Sequence, residues 1–154
     1  MGAVWPEKVL RQFQTILLNP LGADFHGAYN KLLNTLFPPD SDFTVVPQYL
    51  KPSSTLTSES IVTFEIFLEN RPVLMLELKT PGDLNYVSTR EAADSQIRQR
   101  MVDLVATCPI PTLHAISAIG TALCFYSLET QNPNAEIKPL NIARHPTKNK
   151  RYGT

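Results

Sequence analysis

The sequence is short of cysteine, has no surplus of either charge and contains no long apolar run; each shortage closes off a class of protein. Cys108 and Cys124 are the two cysteines, too few for a disulfide framework and without the C-x-x-C spacing of a zinc site. Buried, reduced thiols in a cytosol-like compartment are expected. Fourteen basic residues offset fourteen acidic ones, so overall charge argues for neither a nucleic-acid nor a membrane partner. No apolar window reaches the roughly 20 residues of a spanning helix. The opening stretch MGAVWPEKVLRQF lacks the basic leader and continuous apolar core of a secretory signal. Pro6 stands where a myristoylation pattern needs Ser or Thr. A soluble, cytoplasmic protein with no membrane partner is the expectation. There is no Gly-rich nucleotide loop and no G-x-S-x-G elbow around Ser117 or Ser127. His26, His114 and His145 fall on different elements, and His114 reads as a sheet residue rather than a catalyst.

What is present suits one domain with one core: 154 residues, 43% of them hydrophobic. Pro6 suits a first helical turn, and Val9, Leu10, Phe13, Ile16 and Leu17 recur at helical spacing, with Trp5 as an anchor at the start. A second helix follows Asp24, its stripe formed by Phe25, Ala28, Tyr29, Leu32, Leu33 and Leu36, until Pro38-Pro39 stops it. From Asp42 the period changes. Phe43–Val46 reads as a short strand, 51–60 as a loop, and Ile61–Leu68 as a strand joined by a turn at 69–72 to the next. Ser88-Thr89-Arg90-Glu91 is a capping-box pattern that opens a helix carrying Ala93, Ile97, Met101, Leu104 and Val105 inward. Thr112–Ile119 and Thr121–Leu128 flank Gly120 as a second hairpin. The order α-α-β-β-β-α-β-β predicts a single-domain α/β sandwich, a central mixed sheet flanked by helices. Residues 1–143 form that domain, with N-terminal helices over 1–38 and a core over 42–128; residues 144–154 are a basic tail.

The stretch VLMLELKTPGD, residues 73–83, sets Glu77 and Lys79 into an otherwise apolar strand, where each charge is costly unless paired or coordinated. Strand alternation points both the same way. With Glu69 opposite Val73, Glu65 lies across from Glu77 and Thr63 across from Lys79. Any even shift of register keeps Glu65, Glu77 and Lys79 on one face, at Cβ separations of about 5–8 Å. Two carboxylates so close repel unless a proton or cation joins them. Mg²⁺, bound through one or two carboxylates, waters and phosphate oxygens, suits the arrangement, with Lys79 orienting water or steadying charge on phosphorus. The alternative is that Lys79 simply pairs with Glu77 or Glu65 at the sheet edge.

The hairpin, the E-x-K strand, the helix after it and the second hairpin together resemble the restriction-endonuclease-like PD-(D/E)XK superfamily, over roughly residues 42–128. LELK matches the family's motif as Glu77 and Lys79, and Gln96 in EAADSQIRQR falls where the following helix often carries a glutamine. The resemblance implies phosphodiester hydrolysis on RNA or DNA, with Glu77 and Glu65 holding Mg²⁺ or Mn²⁺, Lys79 activating water and Gln96 orienting a ligand. One departure stands out: the family's isolated acidic residue falls 14 positions before Glu77, where this chain has Thr63. Glu65 is the nearest substitute on the same face; Asp42 and Glu59 are further ones. Without that carboxylate, the implied alternative is a nuclease-fold protein that only binds.

A second stretch, ADSQIRQRMVDLVATCPIPTLHAISAIGTALCFYSLET, resembles small basidiomycete proteins, among them ribosome-inactivating toxins of the edodin type. That resemblance implies a fungal toxin with the ribosome as partner, removing a base from ribosomal RNA without metal. Such a reaction needs a pocket for an extruded adenine, to which Tyr86, Arg90, Glu77 and Arg98 or Arg100 would contribute. Arg144, His145, Lys148, Lys150 and Arg151 lie within eight residues without an acidic one. They form a candidate phosphate-contacting arm, to which Arg90, Arg98 and Arg100 add positive charge. One of Arg98 and Arg100 is expected to pair with Asp94 or Asp103.

Overall fold

Apolar runs rich in β-branched, aromatic and leucine residues form the strands in the middle and at the end of the chain, and helices cover the sheet on both faces. The computed structural model describes residues 5–16, 18, 20–50 and 61–141, without the side chains of 49, 50, 61 and 62. In chain order these form α1 (Glu7–Gln14), α2 (His26–Leu36), β1 (Phe43–Leu50), β2 (Ile61–Leu68), β3 (Arg71–Lys79), α3 (Val87–Leu104), β4 (Thr112–Ile119) and β5 (Ala122–Glu129). Short 3₁₀ turns span Gly22–Phe25, Pro81–Asn85 and Val105–Thr107. The predicted order of elements therefore holds. The chain is an α/β protein.

The strands form one sheet in the order β1-β2-β3-β4-β5. All neighbours are antiparallel except β3 and β4, which run parallel because α3 carries the chain back across the sheet between them. Phe25, Tyr29 and Leu33 pack on Phe64, Ile66, Leu76 and Leu78 on one face. Ile97 and Met101 of α3 pack on Met75, Leu113, Ala115, Tyr126 and Leu128 on the other. Thr63, Phe64, Glu65 and Ile66 are buried in succession, since β2 is covered on both sides. The polar residues of its α3 face are thereby shut away from water.

Several expectations about local structure are corrected. α1 ends at Gln14, and the hydroxyl of Thr15 donates to the Gln12 carbonyl at 2.8 Å; Leu17 lies outside the described residues. Trp5 is 48% exposed and is no buried anchor. β1 continues to Leu50 through Pro47, which an edge strand tolerates because its missing N–H costs no ladder bond on the open side. α3 begins at Val87 and has no capping box. Ser88 is inside the helix, and the Thr89 hydroxyl donates to the carbonyls of Asp83 and Tyr86, at 2.6 and 2.9 Å. The 3₁₀ turn before it delivers the chain already coiled. Both cysteines are free, yet Cys124 is exposed rather than buried.

The register of β2 on β3 also differs. Thr63 stands opposite Glu77, and Glu65 opposite Met75. The hairpin closes on Glu69 and Asn70, both with positive φ (52° and 62°), as a two-residue primed turn requires. That turn pairs Leu68 with Arg71 and Phe67 with Pro72. Continued unbroken, it would align Glu77 with Val62 and send the carboxylates to opposite faces. An irregularity between Ile66 and Phe67 absorbs one residue, Val73, and restores the facing. The bulge is what puts Thr63, Glu65, Glu77 and Lys79 on one face.

The far end of β3 is held from the α2 side. Gly120 turns between β4 and β5 at φ +60° and donates its N–H to the Lys79 carbonyl at 3.1 Å. Its own carbonyl accepts from the buried Tyr29 hydroxyl at 2.5 Å, and burial pushes that phenol up to about 12. Tyr29→Phe is expected to cost about 1–3 kcal/mol, the penalty for leaving a buried carbonyl without its donor. A shift of the urea midpoint at unchanged slope would register it.

Candidate functional site

Ladder pairing carries one polar position straight across the sheet. Gln48 of β1 stands beside Thr63, Thr63 beside Glu77, Glu77 beside Ser117 of β4, and Ser117 beside Cys124 of β5. Paired residues point the same way, so five strands each place one polar side chain on the α3 face. Three of the five are almost wholly enclosed: Thr63 is 0%, Glu77 1% and Ser117 1% exposed. A buried polar row of this length costs stability unless its groups are satisfied or used.

α3 completes the cluster from above. Ala93, Ile97 and Met101 face the sheet, and the adjoining stripe, Gln96 and Arg100, one helical turn apart, reaches its charged residues. The Lys79 ammonium donates to the Gln96 side-chain carbonyl. The Arg100 guanidinium donates through Nη2 to Glu65 Oε1 at 2.7 Å, while Gln48 Nε2 donates to Glu65 Oε2 at 2.8 Å. Lys79 is thus bonded to neither carboxylate, and the expected edge pairing with Glu77 or Glu65 is not what the structure has.

Glu77 is the group left over. Among the described residues, Glu77 Oε2, Arg100 Nε and Ser117 Oγ are buried without a hydrogen-bond partner. Burial pushes the Glu77 carboxyl above the usual carboxylate range, and the nearby charges of Lys79 and Arg100 oppose that rise. The face holds two carboxylates and two cations in a low-dielectric setting, with one carboxyl oxygen uncommitted.

The donor set does not fit a divalent ion held between Glu65 and Glu77. Both Glu65 oxygens are engaged by donors, one of them cationic. The position opposite Glu77 is a threonine, a poor ligand for a hard cation. No group of three or more His, Cys, Asp or Glu side chains is gathered as a metal site among the described residues. Of the two carboxylates, only Glu77 keeps an oxygen without a donor. Glu65 is a partner of Arg100.

The predicted site residues therefore fall into three groups. Glu65, Glu77, Lys79 and Gln96 come together on the α3 face. Arg90 lies exposed in the first turn of α3. Arg98 is structural: its Nε meets Asp94 at 2.9 Å, its other nitrogens donate to the carbonyls of Ile137 and Pro139 at 3.4 and 2.5 Å, and it lies over the Tyr126 ring. It fastens the segment after β5 to α3, and its donors are spent there rather than on phosphate. Arg144, Lys148, Lys150 and Arg151 lie outside the described residues, as does Glu59. His114 sits exposed in β4.

Gln48 and Ser117 were missed, and Arg100 was not assigned to the carboxylate face. Arg100 was legible as the residue four after Gln96. Ser117 was legible as the polar member of the Leu113, Ala115 face. Gln48 was not, because its place depends on the full extent of β1. A cleft of about 300 Å³ between α1 and α2, with Gln12, Thr15, Asp24 and Gly27 in its walls, includes none of these side chains. No helix of the described residues is long and apolar enough to cross a membrane. No protein-family model matches the chain, and comparison with curated proteins and with solved structures gives no match.

Proposed function

We propose that the protein is a restriction-endonuclease-like enzyme that acts on nucleic acid, hydrolysing a phosphodiester at the Glu77–Lys79–Gln96 cluster. The observation that carries this reading is the Lys79–Gln96 hydrogen bond, which joins the E-x-K strand to the following helix beside a buried carboxyl with an uncommitted oxygen. Lys79 and Arg100 supply the positive charge that a phosphorane-like transition state needs, in a setting where fixed charges act strongly. Glu77 in its ionised form is the base for the attacking water. A carboxyl held above its ordinary range is better matched to that task near neutral pH than an ordinary one. Gln96 keeps the ammonium in place, and Glu65 fixes Arg100.

A second reading, a nuclease-fold protein that binds without cleaving, is favoured by Thr63 and by the engaged oxygens of Glu65. Base removal from ribosomal RNA is the third reading to be tested. One experiment separates the three. Plasmid DNA and intact ribosomes are incubated with the protein, each with Mg²⁺ and with EDTA, and the ribosomal RNA is then treated with aniline. Nicking or RNA cleavage before aniline is the expected result. An aniline-dependent fragment identifies base removal. Binding with neither product identifies the binder and ends the hydrolase proposal.

A further inference from the structure

The carboxylate face raises a question of charge that the proposed reaction does not answer. Two glutamates one strand apart on one face need a cation between them or a shared proton. A divalent ion is one way to supply the charge, yet a guanidinium is already there. Arg100 reaches down from α3, donates to Glu65 Oε1 at 2.7 Å, and keeps its Nε buried without a partner. Glu65 is 4% and Arg100 26% exposed by side chain, so the pair is held largely out of water, where an uncompensated charge is not tolerated. Gln48 takes the other Glu65 oxygen. Thr63 contributes a neutral hydroxyl where a third carboxylate would have demanded more positive charge.

We infer that Arg100 is the resident cation of this face, standing in for a divalent metal, so that the site handles nucleic-acid phosphate without one. The inference rests on the reading of this face as the phosphate-handling site, but its core, that the face excludes divalent metal, is measurable without any activity. With Glu65 neutralised by a fixed guanidinium, an incoming Mg²⁺ would have to break the Arg100–Glu65 bond and then lie beside Arg100 and Lys79, two like charges at close range. The planar donor fork of arginine suits a fixed carboxylate partner in a way that a lysine would not. Removing the guanidinium, not adding a ligand, is what would make room for a metal.

The test is a titration with Mn²⁺ at low ionic strength, following the free ion by its electron paramagnetic resonance signal, on wild type, Glu77→Gln and Arg100→Gln. Wild type is expected to leave Mn²⁺ free into the millimolar range, and Arg100→Gln to bind it at least tenfold more tightly. Stoichiometric Mn²⁺ binding by wild type that Glu77→Gln abolishes would overturn the inference, as would an Arg100→Gln protein that folds and binds no better than wild type. If Arg100→Gln fails to fold, the wild-type and Glu77→Gln titrations decide alone. The same preparations are assayed for cleavage in EDTA. Failure to cleave under any condition, with Mn²⁺ still unbound, removes the hydrolase reading and leaves metal exclusion standing. Cleavage that needs Mn²⁺, with Mn²⁺ bound, removes the inference and leaves the hydrolase.

Discussion

Glu77→Gln is expected to yield a protein that melts higher than wild type at neutral pH and no longer cleaves nucleic acid. The two effects share one cause. Burial raises the Glu77 carboxyl above its ordinary value of 4.5, against the pull of Lys79 and Arg100. Between 4.5 and the raised value the folded state holds a proton that the unfolded state has lost. Stability therefore falls as pH rises through that window, and the deficit is complete above the folded value. A glutamine of the same shape has no proton to lose. The variant's advantage should be absent below about pH 4.5, grow above it and then level off, reaching about 2–4 °C in Tm for each kcal/mol recovered. Calorimetry of both proteins from pH 4 to 8 measures it. Cleavage should drop by roughly 100-fold or more, the usual worth of a positioned base. In wild type the rate should climb with pH as the carboxyl ionises, with its rising limb above the ordinary carboxylate range. A lower Tm in Glu77→Gln across the whole range would mean that the carboxylate is paired and not strained.

Arg100→Met is expected to be among the most damaging single changes in the chain, for a reason independent of any reaction. It strands Glu65, a carboxylate 4% exposed, with only the Gln48 amide as donor. Breaking one side of a buried ion pair costs about 3–5 kcal/mol, whereas replacing both sides by apolar groups is often neutral. The double variant Arg100→Met with Glu65→Leu should therefore recover most of what the single variant loses. Urea denaturation of wild type, both single variants and the double closes the thermodynamic cycle. If Arg100→Met unfolds at the wild-type midpoint, Glu65 reaches solvent and the enclosed face described above does not exist in solution.

Much of this architecture is local information. The helical stripe from Phe25 to Leu36, the β-branched run from Ile61 to Leu68 and the strands around Gly120 all state their period in a few residues, and the element order follows from them. Val62, Phe64 and Ile66 alternate with Thr63 and Glu65 as Leu74, Leu76 and Leu78 alternate with Glu77 and Lys79, and with both apolar sets turned to one core face Glu65, Glu77 and Lys79 share the other. The capping pattern at Ser88 misled because a 3₁₀ turn upstream had already started the coil, and no window of four residues contains that fact.

The register of β2 on β3 lies between the two levels. Positive φ at Glu69 and Asn70 fixes a two-residue turn, and that turn alone would have set the wrong parity. Only the bulge at Val73, packed into the core beneath α2, brings Thr63 opposite Glu77. Its cause is burial across the whole sheet, since the unbulged ladder would turn Glu77 toward the apolar layer of Phe25 and Leu33.

By itself, then, the sequence determined the element types, their order and the common facing of the charged residues in β2 and β3, because hydrophobic period is written locally. Which charge answers which was decided by the tertiary structure alone. Arg100 meets Glu65, 35 positions away, and Lys79 meets Gln96, 17 positions away. Such pairings depend on where α3 crosses the sheet and on which oxygen burial leaves within reach, and electrostatic partners are chosen by distance and dielectric rather than by position along the chain.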